Sequence, residues 1–172
     1  MLALHKQILS TAYTVDMAHH QVSVLQTVLE QALYHAVGGS NQPLEKRFTA
    51  ALRTLEDEAN KGALRSWGTD WLEPITRTSL QTELQALRKW LTGVPTLLLY
   101  VPVTFDTATI AKLSQWVRQE VNESVLLDIK VDANMIGGCS FVHKAIYYDR
   151  SLHGRLRLAP ETVSEILDTY AT

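Results

Sequence analysis

Three groups of residues in this chain have types and spacings that could carry chemistry. The first is the pair Gly137 and Gly138, with Asp132 shortly before it, inside the run VDANMIGGCSFVHKAIYYDRSLHGRL. Glycines that cradle a phosphate lie between a strand and a helix, so that helix amides point at the anion. Here the pair leads into strand-like residues, and no Gly-Lys-Ser or GxGxxG pattern accompanies it. It reads instead as a bend or bulge, where only a hydrogen side chain lets the backbone turn. The second group is the histidines His5, His19, His20, His35, His143 and His153. Neighbours on a helix point about 100° apart, so His19 and His20 do not share a metal, and no HExxH or Cys/His spacing is present. The third group is Glu56, Asp57 and Glu58, which reads as the wet face of a helix. Ser140 and Ser151 lack a GxSxG elbow or a recognisable base. The expectation is no catalytic residue, no metal ligand and no cofactor, and therefore a binding or scaffolding role.

Composition narrows the field further. Hydrophobic residues make up 46% and charged residues 20% of the 172 residues, values of a chain that buries a core. A formal net charge of −2, without a basic run, gives no electrostatic footprint for nucleic acid. The single cysteine, Cys139, has no partner for an intramolecular disulfide, which suits a reducing compartment, and its apolar setting predicts a small buried hydrophobe. The opening MLALHKQILSTAYTVDMAHH has no signal-like apolar core, and TLLLYVPV is far shorter than the roughly 20 residues of a membrane helix. A soluble protein without membrane insertion is expected, able to reach a membrane complex through a partner.

The elements that would position these residues fall into two halves. Over residues 2–37, Val15, Val22, Leu25, Leu29, Ala32 and Leu33 recur at helical spacing, predicting one long helix or two with a break, ended by Gly38, Gly39, Ser40 and Asn41. Pro43 suits the first turn of a helix running to Asn60, with Leu44, Phe48, Ala51, Leu52 and Leu55 on one side. Gly62 and Gly68 bracket an irregular link around Trp67. A third helical segment starts at Thr69 or Asp70, accommodates Pro74 early, and runs to Leu91 through Leu72, Ile75, Leu80, Leu84 and Leu87. The four tryptophans Trp67, Trp71, Trp90 and Trp116 lie near apolar helix positions and read as core.

Gly93 and Pro95 mark a change of periodicity, so a helical domain over residues 1–93 and a second domain over residues 94–172 are expected. Residues 96–103 read as a strand in which Pro102 argues for an edge or a bulge. Asp106 or Thr107 caps a helix carrying Ile110, Leu113, Val117 and Val121, and Asn122 to Ser124 turn into a half-buried strand over residues 125–131. Residues 139–143 and 146–148 form a hairpin around an unremarkable turn at Lys144 and Ala145. A last helix begins over residues 151–158 and, jogged by Pro160, continues through Val163, Ile166 and Leu167. The predicted class is α+β: an N-terminal helical bundle or helical arm, then a small domain with a short mixed sheet and a hairpin.

The run from LLLYVPVTF through DTATIAKLSQWVRQEV, SVLLDIKVD, MIGG, CSFVHKAIYYD and DRSLHGRL resembles the C-terminal domain of the ATP synthase δ subunit, called OSCP in mitochondria. Position by position, Asp132 resembles the family's Asp at the end of the second strand, and Gly137 and Gly138 resemble the pair opening the hairpin. Asp149, Ser151, Gly154 and Leu156 resemble its closing signature. His153 stands where the family usually has Arg, so a contact relying on a permanent guanidinium charge is weakened. The resemblance covers roughly residues 96–158. The front half lacks the family's usual Arg-x-Tyr-Ala opening.

The resemblance implies a non-catalytic peripheral-stalk subunit of an F-type ATP synthase at the cytoplasmic face of an energy-transducing membrane. Its helical half would grip the N-termini of the α subunits, and its α+β half the C-terminal helix of the b subunit. An amphipathic partner helix lays its apolar side into a groove, which makes Ile110, Leu113 and Val117 candidate contacts, against the alternative that they pack on their own sheet. Two rivals remain at this point: a divergent stalk or assembly protein retaining only the b-binding module, and a small-ligand enzyme domain built on the Gly-Gly hairpin and Asp132.

Overall fold

A computed structural model describes residues 2–34 and 42–158. The chain divides into two compact units, Met1–Pro95 and Thr96–Thr172. The class is α+β, with helices first and a small four-stranded sheet after them.

In the first unit, α1 (Leu2–Thr11) and α2 (Val15–Tyr34) are two helices with a short break. They are followed by α3 (Leu44–Arg53), α4 (Glu58–Ser66), a single 3₁₀ turn at Asp70–Leu72, and α5 (Leu80–Thr92). The others gather on α2, whose Ala18, Val22, Leu25, Val28, Leu29, Ala32 and Leu33 are all buried at helical spacing. Phe48 meets Trp71 edge-on at 5.3 Å between ring centres, and Trp71 meets Trp67 at 6.5 Å. The indole of Trp67 donates to Thr11 Oγ1 at 3.1 Å, and that hydroxyl donates to Oε1 of buried Gln21 at 3.1 Å. A buried polar chain of this kind is stable because each donor inside it finds an acceptor. Residues 35–41, with the expected stop at Gly38 to Asn41, lie outside the described residues.

Two long helices expected in this half are each interrupted. The segment from Pro43 to Asn60 breaks after Arg53: the amides of Thr54 and Leu55 bond three residues back, tightening the last turn. Asp57 then restarts the chain as the N-cap of α4, its carboxylate accepting from the Asn60 amide at 3.1 Å. The acidic triplet at residues 56–58 is thus a helix start rather than the flank of a continuous helix. Pro43 is itself the N-cap of α3, and Gly62 lies within α4. The segment from Thr69 to Leu91 breaks at Pro74, which has no amide to continue a ladder. Ser79 Oγ accepts from the Thr76 amide at 2.9 Å and Thr76 Oγ1 accepts from the Ser79 amide at 3.1 Å, a reciprocal box that begins α5.

In the second unit, β1 (Thr96–Val101), α6 (Thr107–Glu120) and β2 (Leu126–Val131) form a parallel crossover, and β3 (Gly138–His143) and β4 (Ile146–Ser151) an antiparallel hairpin. The strand order is β2-β1-β3-β4. β1 is therefore central, not an edge, and Pro102 sits just past its end, where no ladder amide is lost. Asp106 caps α6 through the Thr109 amide at 3.1 Å. The hairpin turn is not ordinary: Lys144 and Ala145 have φ of 50° and 63°, left-handed values that a two-residue connection demands and that Gly or Asn normally supplies. α7 (Leu152–Leu158) follows β4 directly. The expected continuation past Pro160 lies outside the described residues.

Candidate functional site: an apolar groove beside α6

Alternation along the strands sorts the α+β unit into two faces. Leu97, Leu99 and Val101 of β1, Leu127 of β2, Cys139, Phe141 and His143 of β3, and Tyr148 and Arg150 of β4 line one groove. The register sets Ile129 opposite Leu99, Leu99 opposite Phe141, and Phe141 opposite Tyr148, so one apolar row crosses all four strands. The rings of Phe141 and Tyr148 stack at 4.9 Å. Leu113 and Val117 bring α6 onto this face, and Val117, 2% exposed, joins Leu97, Val125 and Leu127 in the core.

Leu113 and Val117 of α6 pack with Leu97, Leu127, Ile129 and Phe141, and the space beside them stays open. The result is a groove of about 850 Å³, walled by Leu113, Trp116, Val117, Glu120 and Val121 of α6 and floored by the sheet, with Phe105 also lining it. Trp116 is 58% exposed, so an indole stands at the wall with much of its surface wet. A space of this size, lined mainly by carbon, suits a ligand recognised by apolar shape. Glu120, His143, Arg150, the Cys139 thiol and the Tyr148 phenol are the ionisable groups of its lining. An arrangement of that kind can hold an apolar surface in place.

The sequence-selected residues fall into several places. Leu113, Val117 and Gly138 line the groove, and Leu113 and Val117 also pack in the core. Ile110 is half-buried on α6 outside the lining. Gly137, Gly138, Asp149, Ser151 and Gly154 come together at the corner where β4 passes into α7. Gly138 has φ of +81°, and a Cβ built there would lie 2.5 Å from the Arg150 carbonyl oxygen, so this glycine is obligatory for a close backbone approach. Gly137 has ordinary space around it, and its carbonyl accepts from the Leu152 amide at 2.8 Å. Asp149 accepts from the Ser151 amide at 2.8 Å, and Ser151 Oγ accepts from the Gly154 amide at 3.0 Å, starting α7. Hydrogen bonding to Asp149 from the Ser151 hydroxyl first, and from the Ser151 amide second, holds the Asp149 carboxyl below its usual pKa.

Asp149 and Ser151 alternate with Tyr148 and Arg150, so the corner signature belongs to the other face of β4 from the groove. Asp132 lies elsewhere again: its amide donates to the Val101 carbonyl at 2.8 Å and its carboxylate accepts from the Asn134 amide at 3.0 Å, which turns the chain out of β2. Leu156 and His153 are exposed on α7. Asp132, Asp149 and Ser151 thus shape the backbone, and the groove is an apolar surface with room for a ligand.

Sequence reasoning passed over Phe105, Trp116, Phe141, Tyr148 and Cys139 as a group. Cys139 is half-buried in the groove lining rather than sealed in a core, and Trp116 departs from the expected core role. The available signal was the period-two run Cys139, Phe141, His143 together with Leu113, Trp116, Val117 and Val121 at helical spacing. Among the described residues no helix is long and apolar enough to cross a membrane, and no cluster of three His, Cys, Asp or Glu side chains could hold a metal. No protein-family model matches the chain, and no curated protein matches it.

Proposed function

We propose that this chain is a non-catalytic peripheral-stalk subunit of an F-type ATP synthase, whose α+β unit seats an amphipathic helix of the b subunit and whose helical unit grips the N-terminal segments of the α subunits. The observation that carries the reading is the open apolar groove beside α6, with Trp116 and Val121 exposed on one wall and Tyr148 on its floor. A helix placed there inserts its apolar stripe against aromatic side chains, the kind of contact that concentrates binding energy. The resemblance of residues 96–158 to the δ/OSCP C-terminal domain selects the stalk among helix-binding roles. That assembly would bring the protein to the cytoplasmic face of an energy-transducing membrane without inserting it.

The test is calorimetric titration of the full chain with two peptides, the C-terminal helix of the b subunit and the N-terminus of the α subunit from the same genome. Binding of both is expected, and Trp116→Asp should abolish binding of the b peptide while leaving the α peptide unaffected. Binding of the b peptide alone would make this a divergent stalk protein that retains one grip. Binding of neither, with a nucleotide raising the melting temperature, would replace the stalk by a ligand-binding domain.

A further inference from the structure

β4 is the last strand of the sheet, and among the described residues no strand follows it on its outer side. Its main chain sorts by alternation, because antiparallel residues take turns facing the neighbour's hydrogen-bonding groups. The Leu152 amide bonds to the Gly137 carbonyl, so Arg150, Tyr148 and Ile146, stepping back by twos, face β3, and Tyr147, Asp149 and Ser151 face outward. The Ser151 amide is already taken by the Asp149 carboxylate at 2.8 Å. The amides and carbonyls of Tyr147 and Asp149 make up the rest of this edge. The residues that usually blunt an edge are scarce along it: β4 contains no proline and no lysine, and Ile146, Tyr147 and Tyr148 are 55%, 59% and 37% exposed.

We propose that β4 pairs antiparallel with β4 of a second copy of this chain, Tyr148 opposite Tyr148 on a two-fold axis and Tyr147 opposite Asp149 on either side of it. The edge is self-complementary in this register and in no neighbouring one. A two-fold axis perpendicular to the sheet keeps each face on its own side, so it must pass through a residue that meets itself. Centring on Asp149 would set two carboxylates opposite each other and would call on the Ser151 amide that Asp149 holds. Centring on Arg150 would oppose two guanidinium groups. Centring on Tyr147 would oppose Asp149 with Ala145, whose φ of 63° takes it out of the strand. Centred on Tyr148, the outward groups of Tyr147 and Asp149 exchange both main-chain bonds on each side of the axis. The apolar row of Ile129, Leu99, Phe141 and Tyr148 then runs across the seam into the same row of the second copy. The inference goes beyond the stalk reading and does not depend on it.

Sedimentation of the full chain over a range of concentrations is the first test. The mass should rise with concentration from 19.3 kDa to twice that value. Tyr147→Pro removes an outward amide without touching the β3 ladder, so it should keep the melting temperature of the dilute chain and sediment as a monomer throughout. The second test reads the register and does not depend on how Tyr147→Pro folds. In a Cys139→Ser background, a single cysteine is introduced by Tyr148→Cys or by Tyr147→Cys, and joining of two chains is followed under mild oxidation. Tyr148→Cys should join about tenfold faster, because directly opposed Cα atoms at a non-hydrogen-bonded pair lie about 4.5 Å apart while the two Tyr147 positions lie on a diagonal of about 7–8 Å. A monomer at every concentration, or a dimer that survives Tyr147→Pro, overturns the proposal. Joining that is as fast or faster at Tyr147→Cys overturns its register.

Discussion

The two units solve the same problem of covering apolar surface in opposite ways. The helical unit wraps its helices on α2 and closes over three aromatic rings, Phe48, Trp67 and Trp71, with the one indole buried deepest tied through Thr11 to Gln21. In the α+β unit, α6 supplies Leu113 and Val117 to the core and leaves Trp116 exposed beside a groove that reaches all four strands. The hairpin's aromatic residues Phe141 and Tyr148 stack on each other under a half-open roof. A closed core secures a shape; a half-covered sheet has surface left for a second helix. The difference leaves open apolar surface in the second unit and closed packing around Trp67 and Trp71 of the first.

The sharpest way to break that comparison is to truncate one tryptophan in each unit. Trp67→Ala leaves a cavity and strands Thr11 and Gln21, and should cost about 4 kcal/mol in denaturant unfolding of the helical unit. Trp116→Ala removes an exposed ring and should change stability by less than about 0.5 kcal/mol. Equal losses at the two positions would erase the distinction between closed and open surfaces. Next in size is the glycine pair. Gly138→Val combines a left-handed φ with a backbone overlap and should cost about 3 kcal/mol, while Gly137→Val, whose Cβ would meet only ordinary contacts, should cost less than about 1 kcal/mol. Thermal melting of both variants reads the asymmetry, and similar melting temperatures would remove the structural account of the pair.

The smallest expected effect is a pH dependence confined to the helical unit. His5 stacks flat on Trp90 at 3.9 Å, and burial lowers its pKa from 6.5. The folded state therefore binds its proton later than the unfolded chain does, so stability present above pH 6.5 declines as the pH falls below that value toward the lowered folded pKa. His5→Gln should flatten this slope in urea unfolding measured between pH 7 and pH 5. An unchanged slope would mean the stacked imidazole takes up its proton as readily folded as unfolded.

The α+β class and the placement of α6 were legible because helical spacing and strand alternation are local signals. The Asp106 cap was legible for the same reason, since a cap acts within three residues. The breaks at Thr54 and Pro74 were not, because apolar spacing runs on through both: Leu55 and Ile75 keep their helical phase while short polar side chains divert the backbone. The central position of β1 was hidden by Pro102, whose meaning depends on whether the strand has already ended. The left-handed turn at Lys144 and Ala145 had no glycine to announce it. Of the groove, Leu113 and Val117 were visible as a helical stripe, but Trp116 and the hairpin's aromatic residues join them only through pairing of strands far apart in sequence. The corner residues from Gly138 to Gly154 stood out by motif, and the structure shows them bonded to one another at the turn into α7.

The central place of β1 also has a mechanical side. β1 is the first element after Pro95, so tension carried along the chain from the helical unit enters the sheet at the strand bonded to neighbours on both edges. A lengthwise pull on such a strand loads its cross-strand hydrogen bonds together, in shear, because they lie across the direction of pull. An edge strand peeled sideways would surrender them one at a time. A lengthwise pull applied at Thr96 would thus meet a strand whose two bonded edges share the load.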